Sequence, residues 1–390
     1  MGIFTLERDQ QGRDDHGEGK PDAPGSAAGR AVIGRQAADL EGPGRPAGET
    51  GEGAGEALEL LGRARAVVDP ALRAAVDTMP QTMSQVAGYH FGWWEADGAP
   101  SAAGSGKAIR PAMVLAATQA LGGRSADAIR AAAAVELVHN FTLLHDDVID
   151  RDHTRRHRPT AWRVFGSTSA ILVGDAMHSL ALRVLAEDAH PAAPDAVRRL
   201  ADCVVELCAG QQADCAFEQR TEVTLAECLA MAEAKTGALL GCACALGALY
   251  AGADATAADA LDAFGREIGL AFQLIDDLIG IWGDPAVTGK PVGADLAARK
   301  KSLPVVFALG SGTAAGAELA ELYGLDRPLS AEELRRAADA VEAAGGREWA
   351  QGESCERMAA AIAHLAEAVP APAAADDLLA LAELVTRRTH

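Results

Sequence analysis

Two pairs of aspartates sit inside apolar helical runs, and no other feature constrains this chain as much. The first lies in VELVHNFTLLHDDVID (135–150), the second in GLAFQLIDDLIGIW (269–282). Burying an unpaired carboxylate costs far more than burying a neutral polar group. On a helix Asp146 and Asp150 point the same way, one turn apart, with Asp147 beside them. They repel each other unless a cation lies between them. Oxygen-only ligands in an open helical setting suit Mg²⁺, which keeps part of its water shell and binds substrate phosphates. The second pair, Asp276 and Asp277, on another apolar helix, implies a metal site shared between facing helices of a bundle.

Composition agrees with an all-α fold. Ala, Leu and Gly dominate the 390 residues and aromatics are only 4%, which disfavours a large sheet. An amphipathic helix, ALELLGRARAVV, is expected to end at Asp69-Pro70, with helical pieces following and a break at Pro80. A loop covers 97–106. Further helices are expected at 111–121, at 126–150 from a Ser125 cap, and near 169–188, 195–218, 225–250, 255–283, 303–310, 330–344, 353–368 and 374–387. No strand pattern is visible. Residues 1–55 hold 13 Gly and 4 Pro with no sustained period. They read as a disordered tail, a possible docking segment, ahead of one all-α domain over 56–390.

With 35 Lys+Arg against 55 Asp+Glu the formal charge is −20, so bulk attraction to a nucleic acid is excluded. Seven cysteines, mostly in apolar runs and without zinc spacing, read as buried free thiols in a reducing, cytoplasmic setting. The uncharged stretch 236–253 is rich in Gly and Ala and weakly apolar, which favours a buried core helix over a membrane span.

Local cations must then handle any phosphate. GKAIRP supplies Lys107 and Arg110; RDHTRRHRPT supplies Arg155 and Arg156; Lys235, Lys290, Lys300 and Lys301 follow. Each alone reads as surface charge. Around two aspartate clusters they read as a diphosphate clamp, with arginine giving forked contacts. GSGKAI is not a Walker A loop: Ser101 stands where Gly is needed, and Ala108 where Ser or Thr is needed.

From about Leu58 onward, the ordered set GKAIRP (106–111), DDVID (146–150), RR (155–156), GD (174–175), GQ (210–211), KT (235–236), FQLIDD (272–277) and GKPVGADLAARKKSLP (289–304) resembles the trans-prenyl diphosphate synthases of the polyprenyl synthetase family, actinobacterial members especially. The resemblance implies a single large helical bundle of the isoprenoid synthase type, and a homodimer. The implied reaction joins isopentenyl diphosphate head-to-tail to an allylic diphosphate with three Mg²⁺ ions. Asp146 and Asp150 would ligate metal with Asp147 in support; Asp276 would hold the third ion with Asp277 behind it. Lys235, Lys290 and Arg155 would contact the allylic diphosphate, and Lys300 joins the catalytic set. Lys107, Arg110, His139 and Arg156 would hold isopentenyl diphosphate. Thr236 and Gln273 would stabilise the cation.

Two departures stand out. Gly280 occupies the position where many members carry a third aspartate in the second motif, and His157 replaces a common Gly after the arginine pair. Phe141 and Thr142, five and four residues before Asp146, would form the floor that stops chain growth. Without the two-residue insertion of many bacterial farnesyl diphosphate synthases, that floor implies geranylgeranyl diphosphate (C20), with farnesyl diphosphate (C15) the alternative. A terpene cyclase would lack the second aspartate pair, and a His145-Asp146 phosphohydrolase would need more histidines. A non-catalytic subunit or shell-docked cargo protein would put its function in the tail.

Overall fold

The structure, a computed structural model, describes residues 49–101, 106–284, 292–369 and 371–386. Most of the expected tail, through Ala47 and Gly48, therefore lies outside the described residues, as does Lys290. Helix α1 already begins before the expected boundary and runs Glu49–Val76, straight through Pro70. The expected stop at Asp69-Pro70 is overturned. An interior proline costs a helix about 3 kcal/mol. Leu60, Leu61, Ala64, Val68, Leu72, Ala75 and Val76 form one buried stripe across the proline. Each large side chain of that stripe returns roughly 1.5–3 kcal/mol, so packing outweighs the lost hydrogen bond.

The following elements are α2 (Gln81–Phe91), α3 (Ile109–Ala120) and α4 (Ile129–Ile149). The short α5 (Ala161–Phe165) precedes α6 (Ser167–Ala186) and α7 (Ala193–Glu218). Helix α4 is the central rod: Ala131 to Val135, Leu137, Val138 and Leu144 are wholly buried. Between α4 and α5 a hairpin pairs β1 (Thr154–Arg155) with β2 (Arg158–Pro159), the one strand pair among the described residues. Two-residue strands are too short to show the alternation that marks a strand. Both turn residues, Arg156 (φ 51) and His157 (φ 61), are left-handed. That is the geometry a tight two-residue hairpin demands, and it explains why glycine suits position 157.

The expected helix over 225–250 is broken in two. Helix α8 (Leu225–Ala232) starts at a capping box between Thr224 and Glu227; a single π turn follows over Glu233–Gly237, then α9 (Ala238–Tyr250). Helix α9 is buried almost throughout, as expected for a core element. Glycine sets its spacing: a Cβ on Gly247 would lie 2.4 Å from the Val114 carbonyl of α3. One on Gly265, in α10 (Ala255–Trp282), would lie 2.4 Å from the Leu240 carbonyl.

The chain ends in α11 (Ala294–Ala297), α12 (Leu303–Leu309), α13 (Ala314–Tyr323), α14 (Ala331–Ala343), α15 (Gly346–Ala368) and α16 (Asp376–Thr386). Helix α13 was not expected; its alanines and glycine hide the period, while Thr313 caps it by accepting from the Gly316 N–H. Helix α15 starts at Gly346 rather than 353. The seven thiols are free, but Cys208 and Cys355 are exposed, which corrects the expectation of uniform burial. Ser167–Ala186 and Leu225–Tyr250 are each apolar and long enough to cross a membrane; the second is packed inside the bundle.

Candidate active site

The C-terminal end of α4 forms one wall. Asp147 is 1% exposed and accepts from Arg155 Nε at 2.7 Å, so the hairpin is tied to the helix that carries the aspartates. Its other oxygen, Oδ2, is buried and makes no hydrogen bond. Burial pushes Asp146 up to about 6, with the Asp150 charge adding to the shift and Lys235 opposing it. Burial likewise raises Asp147 and Asp150. This wall holds more negative charge than its neighbours neutralise.

Opposite stands the wall built on α10. Asp277, also buried, accepts from Gln273 Nε2 (2.9 Å), from the Leu303 N–H (2.9 Å) and from Lys300 Nζ (3.4 Å). Gln273 Oε1 in turn accepts from the Thr236 hydroxyl at 2.9 Å. Thr236 belongs to the π turn, whose i→i+5 bond from the Ala238 N–H to the Glu233 carbonyl turns Lys235 and Thr236 toward different partners than an unbroken helix would. Asp276 is exposed beside Asp277. The Lys300 pKa is driven upward, chiefly by Asp277, with Asp295, Asp214 and Asp276 adding to it.

Asp214 on α7 joins the two walls. It pairs with Lys235 at 2.6 Å. Its charge also raises Asp150 on the first wall and Lys300 on the second. Lys235 feels Asp146 and Asp150 as well. Two acid clusters and two lysines therefore share one volume. Asp214 was missed by the sequence reading, yet a signal exists: Cys203, Leu207, Gly210 and Phe217 mark the buried stripe of α7, and Asp214 falls in the same register. Gly210 is required there, since a Cβ would come within 2.7 Å of the Lys235 amide.

Beside the first wall lies a small basic recess, lined by His90, Asp147, Arg155, Arg156 and Arg158 among others. Arg110 Nη1 stands 3.3 Å from His139 Nε2. Burial, then Arg110 and Arg156, hold His139 well below its usual range and keep it neutral. Burial, then Arg156 and Arg155, pull His90 down to about 3. Gly106 admits Arg156, because a Cβ would sit 2.5 Å from its Nη2. The Gly106 carbonyl accepts from Arg65 of α1, a residue no motif signalled. Glu136 and Asn140 lie behind, joined at 2.9 Å. Lys107 is exposed on the same loop as Gly106. Lys107, Arg110, His139 and Arg156 thus come to one side of the aspartates, apart from the Lys235 and Lys300 side. Phe141 and Thr142 are buried below Asp146, with the Thr142 hydroxyl donating to the His139 carbonyl at 2.7 Å.

Hard oxygen donors on two facing walls, one orphaned carboxylate oxygen and a strongly raised Asp146 fit divalent cations better than they fit an empty cavity. Among the described residues, no three ligand side chains are already gathered around one point.

A helical bundle with acid-rich walls around a shared cavity, flanked by a basic recess, defines a class: enzymes that bind and turn over diphosphate esters. Comparison with known proteins gives the particular family. The polyprenyl synthetase family pattern matches residues 99–341. The chain is 53% identical over 330 residues to geranylgeranyl diphosphate synthase of Mycobacterium tuberculosis, covering 84% of this chain and 93% of that protein. It is 48% identical over 300 residues to (2E,6E)-farnesyl diphosphate synthase of the same species, covering 76% and 84%. The crystal structure of a polyprenyl synthetase from Streptomyces coelicolor superposes with a TM-score of 0.80 at 46% identity, covering 84% of this chain and 98% of that one. The chain belongs to the polyprenyl synthetase family and is a trans-prenyl diphosphate synthase, a prenyltransferase.

Proposed function

We propose that the protein condenses isopentenyl diphosphate head-to-tail with an allylic diphosphate in a Mg²⁺-dependent reaction and releases geranylgeranyl diphosphate, C20. The observation that carries this reading is the shared volume around Asp214, where both aspartate clusters and both lysines meet. Asp146, Asp150 and Asp276 would hold Mg²⁺, which when bound would supply the positive charge that favours departure of diphosphate. Lys235, Arg155 and Lys290 bind the allylic diphosphate oxygens, and Lys300 adds charge from the second wall. Lys107, Arg110, His139 and Arg156 hold isopentenyl diphosphate, with Arg156 reaching it from the basic recess. Asp147 orients Arg155, and Asp277 orients Gln273 and Lys300. Thr236 and Gln273 present oxygen dipoles to the allylic cation, and the apolar interior of the bundle keeps water from it.

Phe141, with Thr142 beside it, closes the cavity below Asp146 and sets the product length. The 53% identity to a geranylgeranyl diphosphate synthase favours C20. The 48% identity to farnesyl diphosphate synthases makes C15 the competing outcome. The test is direct: incubate the purified protein with Mg²⁺, isopentenyl diphosphate and each allylic primer, then read the product's carbon number. Accumulation of C20 is expected; a longest product of C15 would overturn the assignment of length.

The working unit is a homodimer in the cytoplasm. Helix α6 supports the dimer by exposing Ile171 and Leu172. The segment before α1 serves as a docking tail for a protein partner. Deleting residues 1–48, which leaves α1 whole, is expected to abolish partner capture while turnover persists. Loss of turnover with no loss of capture would overturn it.

A further inference from the structure

Three aromatic rings meet below the first aspartate wall. Phe141 is 7% exposed. Its ring meets His145, one turn later on α4, edge-on at 5.3 Å, and His178 of α6 at 5.4 Å and 42°. Such pairs hold their geometry through the quadrupole of the ring as well as through buried area.

Neither imidazole is loosely placed. His145 Nε2 lies 3.0 Å from the Ile171 carbonyl, a contact that requires the Nε2–H tautomer. Directly behind it is Gly174, where a Cβ would fall 2.3 Å from His145 Nε2. That clash gives the GD pair at 174–175 a physical reason: a side chain at 174 would drive His145 into the Phe141 ring. On the other flank, burial lowers the His178 pKa against the opposing pull of Asp175, so the imidazole packs as a neutral plate. Phe141 can leave the path of a growing chain only by rotating about its side-chain torsions, and rings from two helices bracket that rotation.

We infer that His178 is a positioning residue for product length, holding Phe141 across the elongation path, and that Gly174 sets the opposite jaw by seating His145. This rests on the reading of Phe141 as the floor. The two can fail separately in one experiment. Phe141→Ala, His178→Ala, His178→Phe and Gly174→Ala are compared by chromatography of the products from isopentenyl diphosphate and an allylic primer.

Phe141→Ala is expected to lengthen the main product by at least one isoprene unit. His178→Ala is expected to raise the ratio of the next-longer product to the main one about fivefold, the scale of one lost ring pair. His178→Phe, which keeps a ring, should restore the parental ratio. Because His178 acts through Phe141, the Phe141→Ala/His178→Ala double variant should give the same lengths as Phe141→Ala alone. Gly174→Ala should change the ratio although residue 174 does not face the chain. If Phe141→Ala lengthens the product but His178→Ala leaves the ratio unchanged, the bracing role is wrong and the floor stands. An additive double variant also overturns the bracing role, since His178 would then block growth by itself. If Phe141→Ala itself changes nothing, the floor reading falls and this inference with it. Should His178→Ala fail to fold, His178→Leu fills the volume without a ring and must reproduce the expected shift.

Discussion

The two acidic walls use similar residues and solve the same electrostatic problem in opposite ways. On α10, Asp277 is neutralised within the protein: it takes three hydrogen bonds, one of them from a lysine. On α4, Asp146 and Asp150 accept no hydrogen bond from a cation among the described residues; the charges of Lys235 and, for Asp146, Arg155 only partly offset burial, which pushes Asp146 up to about 6. Each wall thus has one buried aspartate tied down within the protein, Asp147 by Arg155 and Asp277 by Lys300, but only on α4 are the remaining carboxylates themselves raised by burial and short of positive charge. A site that had neutralised both walls would have little left with which to attract a cation.

That contrast can be broken by measurement. The largest effect is expected from Asp146→Ala: turnover should fall about 10³-fold or more, the scale of removing a central electrostatic group. The melting temperature should hold or rise, because a repelling charge is gone. A clear fall in melting temperature would mean the α4 wall is structural after all. Next is Asp277→Asn, expected to lower turnover about 100-fold and also to destabilise the protein. Removing one partner of a fully buried ion pair costs roughly 3–5 kcal/mol. Lys300 remains 38% exposed, so solvent screening reduces this to about 2 kcal/mol, a drop of a few degrees in thermal denaturation. An unchanged melting temperature here would erase the distinction between the walls. Asp214→Asn should be milder, raising KM for the allylic diphosphate about tenfold by freeing Lys235 from its anchor. If KM for isopentenyl diphosphate rises instead, Asp214 serves the wrong subsite.

The smallest effect is on stability against pH, measured by denaturant titration of metal-free protein. Asp146, raised from 3.8 to about 6, contributes stability that is full below 3.8 and lost as pH climbs through about 6. His90, lowered from 6.5 to about 3, contributes stability that is full above 6.5 and lost as pH falls toward 3. Asp146→Asn should therefore flatten the loss on the neutral side, and His90→Gln the loss on the acid side. Indistinguishable pH curves for the two variants would refute both assignments.

How much of this was readable beforehand depends on the range of each interaction. The aspartate pairs, Lys235, Thr236 and Gln273 were legible because short motifs keep chemistry and helix register together. Asp214 was legible only in part: helix register puts it on the buried stripe of α7, but nothing local marks an acid in GQQADC as the partner of a lysine 21 residues away. The π turn hid for a similar reason. EAKTG has ordinary helical composition, and it is close packing against Gly210 and Gly269 that accompanies the extra residue. Continuation of α1 through Pro70 was invisible to propensity, because burial along seven positions decides it. The left-handed pair at Arg156 and His157 was half legible: the unusual histidine was noticed, the hairpin that explains it was not.

The hydrogen bond from Arg65 to the Gly106 carbonyl has a practical bearing. It ties a helix that precedes the family-matched region, residues 99–341, to the loop carrying Lys107. A protein trimmed to that matched region would lose the tie, and a bulky fusion joined close to Glu49 would strain it. Affinity for the five-carbon building block is then the parameter to check first when such versions are made, ahead of yield or solubility.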